Sequence, residues 1–304
     1  MSKTLALIDK EKAHHAVSRL CRVLGVPRAS YYAWKADRPS RRALEDAWLT
    51  SKVRKIHKAS RGTYGAPRIH AELRLAQGIG VSRKRIARLM RQAGVAGLRL
   101  RRRHQTTRRD PKATAAPDLV NRNFTADRPD LLWMGDFSEL PTQEGVLYLA
   151  ALLDGCSRAC VGWSMREDRT AELVCGALSM AVARRGPVPG LVHHSDHGSQ
   201  YTSLALTTRL AEVGGVASMG SVGDALDNAA CESFFGTLKR ELLAGGRVFA
   251  TRTEARTAVF EWLECWYNPR RRHSTLGYLA PLEYEQVFYS DNQSHREEVA
   301  FTKP

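Results

Sequence analysis

Between residues 131 and 165 three apolar runs follow one another with almost nothing between them. RPDLLWMGDFSEL comes first, a second run fills 146–153, and a third fills 159–165 beyond a turn at Asp154-Gly155. Runs of this length bounded by turn residues predict strands, and connections this short suggest an antiparallel meander. The pattern then changes period. TAELVCGALSMAVARRG reads as a helix closed by basic residues and Gly186, GLVHHSD as a buried strand, and SLALTTRLAEVG as a helix. GVASMG reads as a short strand, and DNAACESFFGTLKREL as a helix with Asp227 or Asn228 as its N-cap. The order β-β-β-α-β-α-β-α predicts an α/β domain, a mixed five-stranded sheet covered by helices.

Three acids punctuate this stretch. Asp136 breaks the first apolar run, on what the order makes a central strand. Asp196 falls at the C-terminal end of the fourth strand, where open sheets place ligands. Glu232 lies in about the first turn of the last helix, with 35 residues between it and Asp196. If that helix packs across the sheet, the three carboxylates converge. Unpaired acids there would repel one another and raise each other's pKa, and a divalent cation resolves the conflict. Hard oxygen ligands with open positions suit Mg²⁺ or Mn²⁺. Two such ions about 3.5–4 Å apart can activate an attacking oxygen and stabilise a leaving one in in-line phosphoryl transfer, with no side-chain nucleophile.

Lys239 follows Glu232 by two helical turns on the same face, a candidate phosphate contact or an ordinary surface lysine. Asn228, one turn before Glu232, is a candidate for orienting a carboxylate or substrate, or a simple cap. His193, His194 and His197 flank Asp196, but no Cys/His set completes a zinc site; they are read as supporting or structural residues. Turn and cap duties account for Asp154, Asp224 and Asp227.

Charge is split along the chain. Residues 1–112 carry 29 Lys and Arg against 7 Asp and Glu, a net of +22, whereas 113–304 carry 18 against 24, a net of −6. Basic charge of that density favours polyanions, because each neutralised phosphate releases counterions. Residues 13–35 read as a small helix–turn–helix with Gly25 and Pro27 in its turn, either a DNA-binding or a docking hairpin. Residues 43–60 read as an amphipathic helix with Leu44, Ala47, Trp48, Val53 and Ile56 inward. RGTYGAPRIHAELR supplies a second helix with Pro67 in its first turn, and VSRKRIARLMRQAG a third, capped by Ser82. Ile86, Leu89 and Met90 face inward, and Arg83, Lys84, Arg88 and Arg91 face out, which fits a recognition helix in a major groove or a solvated basic face. Residues 99–112 lack periodicity, so Arg101, Arg102 and Arg103 are read on a flexible linker that follows phosphates or a minor groove, or on an inert tether.

A helix from about 252 to 267 sets Phe260, Trp262, Trp266 and Tyr267 beside Arg270-Arg271-Arg272-His273. Aromatic-plus-arginine clusters suit nucleic acid, which makes Arg271 and His273 candidate DNA contacts, although the aromatics also suit packing on the sheet. The divisions that follow are 1–42, a helix-turn-helix-like segment; 43–98, a basic helical DNA-binding module; 99–126, a basic linker; 127–245, the catalytic core; 246–289, a helical extension; and 290–304, a flexible tail. No run of 18 apolar residues and no secretion signal is present, so a cytoplasmic protein without a membrane partner is expected. The six cysteines form no C-x-x-C pair and are expected reduced and buried.

Taken together these residues resemble the catalytic protein of bacterial insertion sequences of the IS-three family, in the retroviral-integrase superfamily. The resemblance rests on W-x-x-D-F at 133–137, LYLAALLD-x-x-SR-x-x-VGWSM at 147–165, HSDHGSQYTS at 194–203, DNAACESFFGTLKRE at 227–241 and YN-x-x-R-x-HS-x-LGY at 267–278. It implies an RNase H-like core preceded by small all-α modules, and an Asp-Asp-Glu triad at Asp136, Asp196 and Glu232. It also implies Mg²⁺-dependent cleavage at the element ends and strand transfer into target DNA. Gly135 and Phe137 depart from the Thr and Ile often found beside that first Asp, which could alter strand packing. The partners implied are the terminal inverted repeats, target DNA, further copies of the chain and an upstream-frame protein or a frameshift fusion with it, all acting at the nucleoid. A hydrolysis-only nuclease or a DNA-binding regulator with the same core are the alternatives.

Overall fold

The computed structural model describes residues 2–36, 39–98, 120, 125–186, 189–196, 200–201, 203–219 and 229–301. It divides into two compact units, Met1–Leu98 and Arg99–Pro304.

The described part of the first unit is helical: α1 Ser2–Glu11, α2 Val17–Val23, α3 Arg28–Lys35, α4 Arg41–Ala59, α5 Ala66–Leu75 and α6 Arg83–Gln92. Helix α1 lies ahead of the segment read from sequence. With α2 and α3 it closes over Leu5, Ile8, Cys21 and Tyr31. The Tyr31 hydroxyl donates to Asp9 at 2.7 Å, and Gly25 turns the chain between α2 and α3 at φ +63°.

Helix α4 carries two apolar stripes, and only one is buried. Leu49, Val53 and Ile56 face α5 and α6 at the i, i+4, i+7 spacing of a single stripe. Leu44, Ala47 and Trp48, placed inward by periodicity, are exposed, Leu44 at 58% and Trp48 at 51%. They lie on the other stripe, where the Lys52 ammonium sits over the Trp48 ring. Gly65 caps α5 and Pro67 sits in its first turn. Ser82 Oγ accepts from the Arg85 amide at 3.2 Å, which caps α6. After α6 the chain returns to α5 so tightly that a Cβ on Gly97 would stand 2.4 Å from the Gly65 nitrogen.

The second unit holds a five-stranded sheet of order β3-β2-β1-β4-β5, with β1 Leu132–Thr142, β2 Gly145–Asp154, β3 Cys160–Arg166, β4 Val192–Ser195 and β5 Val216–Met219. Strands β1, β2 and β3 pair antiparallel; β4 pairs parallel with β1 and with β5. This is the mixed sheet expected from the sequence. Helices α7 Ala171–Arg185 and α8 Leu204–Glu212 cover one face, over Trp133, Ala150, Leu152 and Val161. Small residues let α7 approach closely: a Cβ on Gly162 would meet the Ala177 carbonyl at 2.2 Å.

Helices α9 Ala229–Leu242 and α10 Arg252–Phe260 cover the other face, over Leu132, Met134, Leu149 and Ala151. The helix read over 252–267 changes winding: after α10 come a π-helical segment Glu261–Tyr267 and a short α11 Asn268–Arg270. Trp262 stacks on Tyr267 at 4.8 Å, and Phe234 meets both rings edge-on. Such pairs contribute about 0.5–1.5 kcal/mol each beyond the area they bury. These aromatics are core, except Phe260, which is half exposed. Helix α12 Pro281–Phe301 continues past residue 289, where the sequence suggests a tail. Among the described residues no helix is long and apolar enough to cross a membrane. The six cysteines are free thiols, but Cys265 is exposed rather than buried, since it lies on the outer side of the π-helical segment.

Candidate active site

Register brings the first two acids together. Parallel pairing of β1 with β4 ends at Gly135 opposite Ser195, so the next residues along each strand are Asp136 and Asp196. Alternation along β1 sends Trp133, Gly135 and Phe137 to the α7 face, and Leu132, Met134 and Asp136 to the α9 face. Helix α9 lies on that second face. Its Cys231 thiol donates to the Met134 carbonyl at 3.4 Å, and Phe234, Phe235 and Leu238 fill the core beneath. Glu232, next to Cys231, is therefore placed at the Asp136 end of the sheet.

The electrostatics report the same convergence. Asp136 is half-buried, and its carboxyl is pushed up to about 7. Loss of solvent is the largest cause; the charges of Asp196 and Glu232 add to it, while the Phe137 amide, 2.8 Å away, and Lys239 oppose it. Three hard oxygen donors whose charges oppose one another are a donor set suited to a divalent cation. Among the described residues, no three His, Cys, Asp or Glu side chains yet stand close enough to share one ion. Asp196 and Glu232 are both exposed.

Beneath the acids lies a buried layer that sequence reasoning did not identify as such. A Cβ on Gly135 would meet Leu152 Cδ2 at 2.9 Å and His193 Nε2 at 3.0 Å, so the residue that departs from the family pattern leaves room for an imidazole. Burial pushes His193 down to about 4, which keeps the ring neutral. Tyr201 is buried against His193 and Phe137, and its hydroxyl is pushed up by burial and by the charges of Asp136 and Asp196. His194 bonds Ser218 at 3.0 Å. His193 and His194 are thus structural; His197 lies outside the described residues. Asp154 has the expected turn role, accepting from the Cys156 and Ser157 amides and from the Asp130 amide. Asp224 and Asp227 lie outside the described residues.

The remaining candidates divide. Arg83 and Lys84 are exposed at the start of α6. Arg88, its side chain 37% exposed, is paired within the module: its Nη2 donates to Asp46 Oδ2 at 2.7 Å, because α4 presents a carboxylate to that face of α6. Arg271 is also redirected. It is 7% exposed at the side chain and donates to buried Glu241 at 3.0 Å, so it serves the fold and has no surface to offer a phosphate. His273 is half-buried with its ring edge-on to Tyr267 at 5.1 Å. Asn228, Arg101, Arg102 and Arg103 lie outside the described residues. Glu241, Trp262 and Trp266 form a largely buried polar node, and no local sequence signal pairs them.

Integrase core domain profiles match residues 126–225 and 215–281, and an HTH-like domain profile matches residues 43–104. The chain is 38% identical over 291 residues to the transposase for insertion sequence element IS629 of Shigella sonnei, covering 94% of this chain and 97% of that protein. It is 38% identical to transposase InsF for insertion sequence IS3A of Escherichia coli strain K12, covering 91% and 96%. The transposase for insertion sequence element IS904 of Lactococcus lactis is 39% identical, covering 82% and 98%. Among solved structures, the HTLV-2 integrase catalytic core domain in complex with magnesium, in its dimeric form, covers 52% of this chain and 98% of that chain at 16% identity and a TM-score of 0.37. A mixed five-stranded sheet covered by helices, matched by integrase-core profiles and by transposases over nearly the whole chain, places the chain in the family of insertion-sequence transposases related to IS3 and IS629, as a DNA transposase with an RNase H-like core.

Proposed function

We propose that Asp136, Asp196 and Glu232 are the catalytic carboxylates of this transposase, acting by metal-dependent cleavage at the element ends followed by strand transfer into target DNA. The observation that carries the reading is the parallel register of β1 and β4, which sets Asp136 beside Asp196; burial first, and then the charges of Asp196 and Glu232, raise the Asp136 carboxyl. The three would hold two Mg²⁺ or Mn²⁺ ions, which supply Lewis-acid stabilisation of the entering and leaving oxygens.

The chain's own groups do the rest. Lys239 lies near enough to stabilise the ionised Asp136, and so has reach to a phosphate held there. Buried His193 and Tyr201, with half-buried Phe137 against them, back the strand that carries Asp136 and exclude water from behind it. Arg83 and Lys84 on α6, and Arg101, Arg102 and Arg103 beyond it, are proposed to hold the duplex by its phosphates. Asn228 is proposed to orient substrate or carboxylate, and His273 to lie at the margin of the DNA path. In this reading residues 1–42 and 43–98 are DNA-directed modules, 99–126 a basic linker, 127–245 the catalytic core, and 246–289 and 290–304 its extension and tail. Two element ends must be processed together, so a homo-multimer at nucleoid DNA is proposed, alone or with the upstream-frame protein fused to it.

The test is a strand-joining assay on terminal-repeat duplexes with Mn²⁺ and Mg²⁺. Wild-type chain should yield nicked and joined products, and Asp196→Asn neither. Metal-dependent joining that survives in Asp196→Asn would falsify the triad. Nicking without joining would identify a hydrolysing nuclease, and metal-independent binding without nicking a regulator.

A further inference from the structure

We propose that Glu241 is a positioning residue for strand cleavage: gripped by Arg271, Trp262 and Trp266, it fixes the rotation of α9 so that Glu232 and Lys239 present toward Asp136. The proposal rests on reading Glu232 as a member of the catalytic triad.

Glu241 is buried, its side chain 3% exposed, yet both its oxygens are engaged. Oε1 accepts from Arg271 Nε at 3.0 Å; Oε2 accepts from the indole N–H groups of Trp262 at 2.9 Å and Trp266 at 3.1 Å. The donors come from the π-helical segment and from the residue just after α11, and the Arg271 amide itself donates to the Trp266 carbonyl at 2.9 Å. A single carboxylate thus ties α9 to two later pieces of chain. π-Helical turns are rare and recur at functional sites. Here one carries the two indoles that converge on the same oxygen.

Helical geometry connects this grip to the acids. At 3.6 residues per turn, Lys239 lies about 20° around the axis from Glu232, whereas Glu241 lies about 180° away. A clamp on the Glu241 side therefore decides which way the Glu232 side faces. Apolar packing of Phe234, Phe235 and Leu238 also holds α9, but it is non-directional and tolerates a small rotation, and the Cys231 thiol adds only one weak bond to the Met134 carbonyl. Hydrogen bonds from Arg271, Trp262 and Trp266 to one carboxylate do not.

Stability alone does not account for the arrangement. The cost of burying an ion pair commonly cancels its attraction, and well-packed apolar residues of similar volume serve a fold as well or better. What the pair adds is orientation, and a reaction that depends on carboxylate placement is sensitive to it: a 1 Å displacement costs on the order of 10²-fold in rate.

The experiment uses the full chain with Glu241→Gln, Trp266→Phe and, as reference, Glu232→Gln. Three quantities are read: the Tm, the Mn²⁺ affinity from the electron paramagnetic resonance signal of free Mn²⁺, and kcat and KM for cleavage of a terminal-repeat duplex. A positioning role gives Glu241→Gln a Mn²⁺ affinity lower by roughly tenfold or more and a comparable loss in kcat, with KM for DNA unchanged. Trp266→Phe, which loses one donor and keeps an aromatic ring, moves the same way by less, and it decides the matter alone if Glu241→Gln does not fold. A lowered Tm with wild-type Mn²⁺ affinity and kcat in the folded variants overturns the proposal. If Glu232→Gln loses Mn²⁺ while the clamp variants keep it, only the clamp fails; if Glu232→Gln also keeps it, the triad reading fails and the clamp with it.

Discussion

Arg88 on α6 and Asp46 on α4 form an ion pair at 2.7 Å, and Arg85 reaches the other oxygen of the same carboxylate at 2.8 Å. Hydrogen bonds from Arg88 and then Arg85 hold Asp46 below the usual carboxylate range. Two of the basic residues on the apparent recognition helix are therefore directed into their own module, while Arg83, Lys84 and Arg91 remain exposed.

The first prediction separates these roles. Arg83→Ala with Lys84→Ala should weaken duplex binding and flatten its salt dependence by a slope of about 1 per lost phosphate contact, leaving the Tm unchanged. Arg88→Ala should lower the Tm instead. Asp46→Asn should lower it at neutral pH. Because the folded-state pKa of Asp46 is depressed, that difference is present above the unfolded pKa and fades as pH falls through the folded one. Fluorescence anisotropy across a salt series and thermal melts over pH 3–7 measure both. An outward role for Arg88 is recovered if Arg88→Ala changes the salt slope and spares the Tm.

Close backbone approach supplies a second prediction. Gly162→Ala would place a methyl 2.2 Å from the Ala177 carbonyl and 2.7 Å from the Ala181 nitrogen. Both are backbone atoms within a helix, so relief requires lifting α7 from the sheet, at roughly 1–3 kcal/mol or more. Gly80→Ala meets no atom within 4 Å and should be nearly silent. Urea unfolding of the two variants tests the contrast; equal midpoints would mean that α7 does not pack against β3 at backbone contact.

These cases show what the sequence could and could not convey. The succession of elements and the mixed character of the sheet were legible because strand length, connection length and the switch in period are local signals, and Asp136 and Asp196 fall at predicted strand positions for the same reason. Partners across the fold were not legible. Trp48 and Leu49 are both apolar residues of one helix, and only the position of α5 and α6 decides that Leu49 is the buried one. Arg271 reads as one member of a basic cluster until α9 brings Glu241 against it. A buried ion pair between distant segments leaves no periodic trace.

A third prediction concerns Asp136 without a cation. Its folded-state pKa of about 7 stands above the ordinary carboxylate value, so the folded protein holds a proton that the unfolded chain has released. Stability should therefore fall as pH rises from about 4 to 7, and Asp136→Asn should stabilise the cation-free protein most above pH 7. The gain is on the order of 1–3 kcal/mol, discounted because the site opens to solvent. Mn²⁺ competes with that proton, so its stabilising shift in Tm should grow between pH 6 and 8 in the wild-type chain and be lost in Asp136→Asn. Lys239→Ala removes a charge that favours the ionised carboxyl and should move the onset to higher pH. A Mn²⁺ shift that is flat with pH would contradict the account.

His193 should titrate in the opposite sense. It is buried between Gly135 and Tyr201, and its folded-state pKa of about 4 lies below the ordinary imidazole value. Between those two values the unfolded chain takes up a proton that the folded one refuses, so this residue makes stability fall as pH drops from about 6.5 toward 4. At about 1.36 kcal/mol per unit the effect approaches 3 kcal/mol at the lower end. In the wild-type chain Asp136 runs against it over much of the same window. Urea midpoints are therefore best measured in an Asp136→Asn background, with and without His193→Gln. The single variant should lose stability steeply below pH 6.5. The double variant should start lower, because Gln packs the layer less well, and should lose much less on acidification. Parallel pH profiles for the two would mean that His193 is charged, or reached by water, in the folded site.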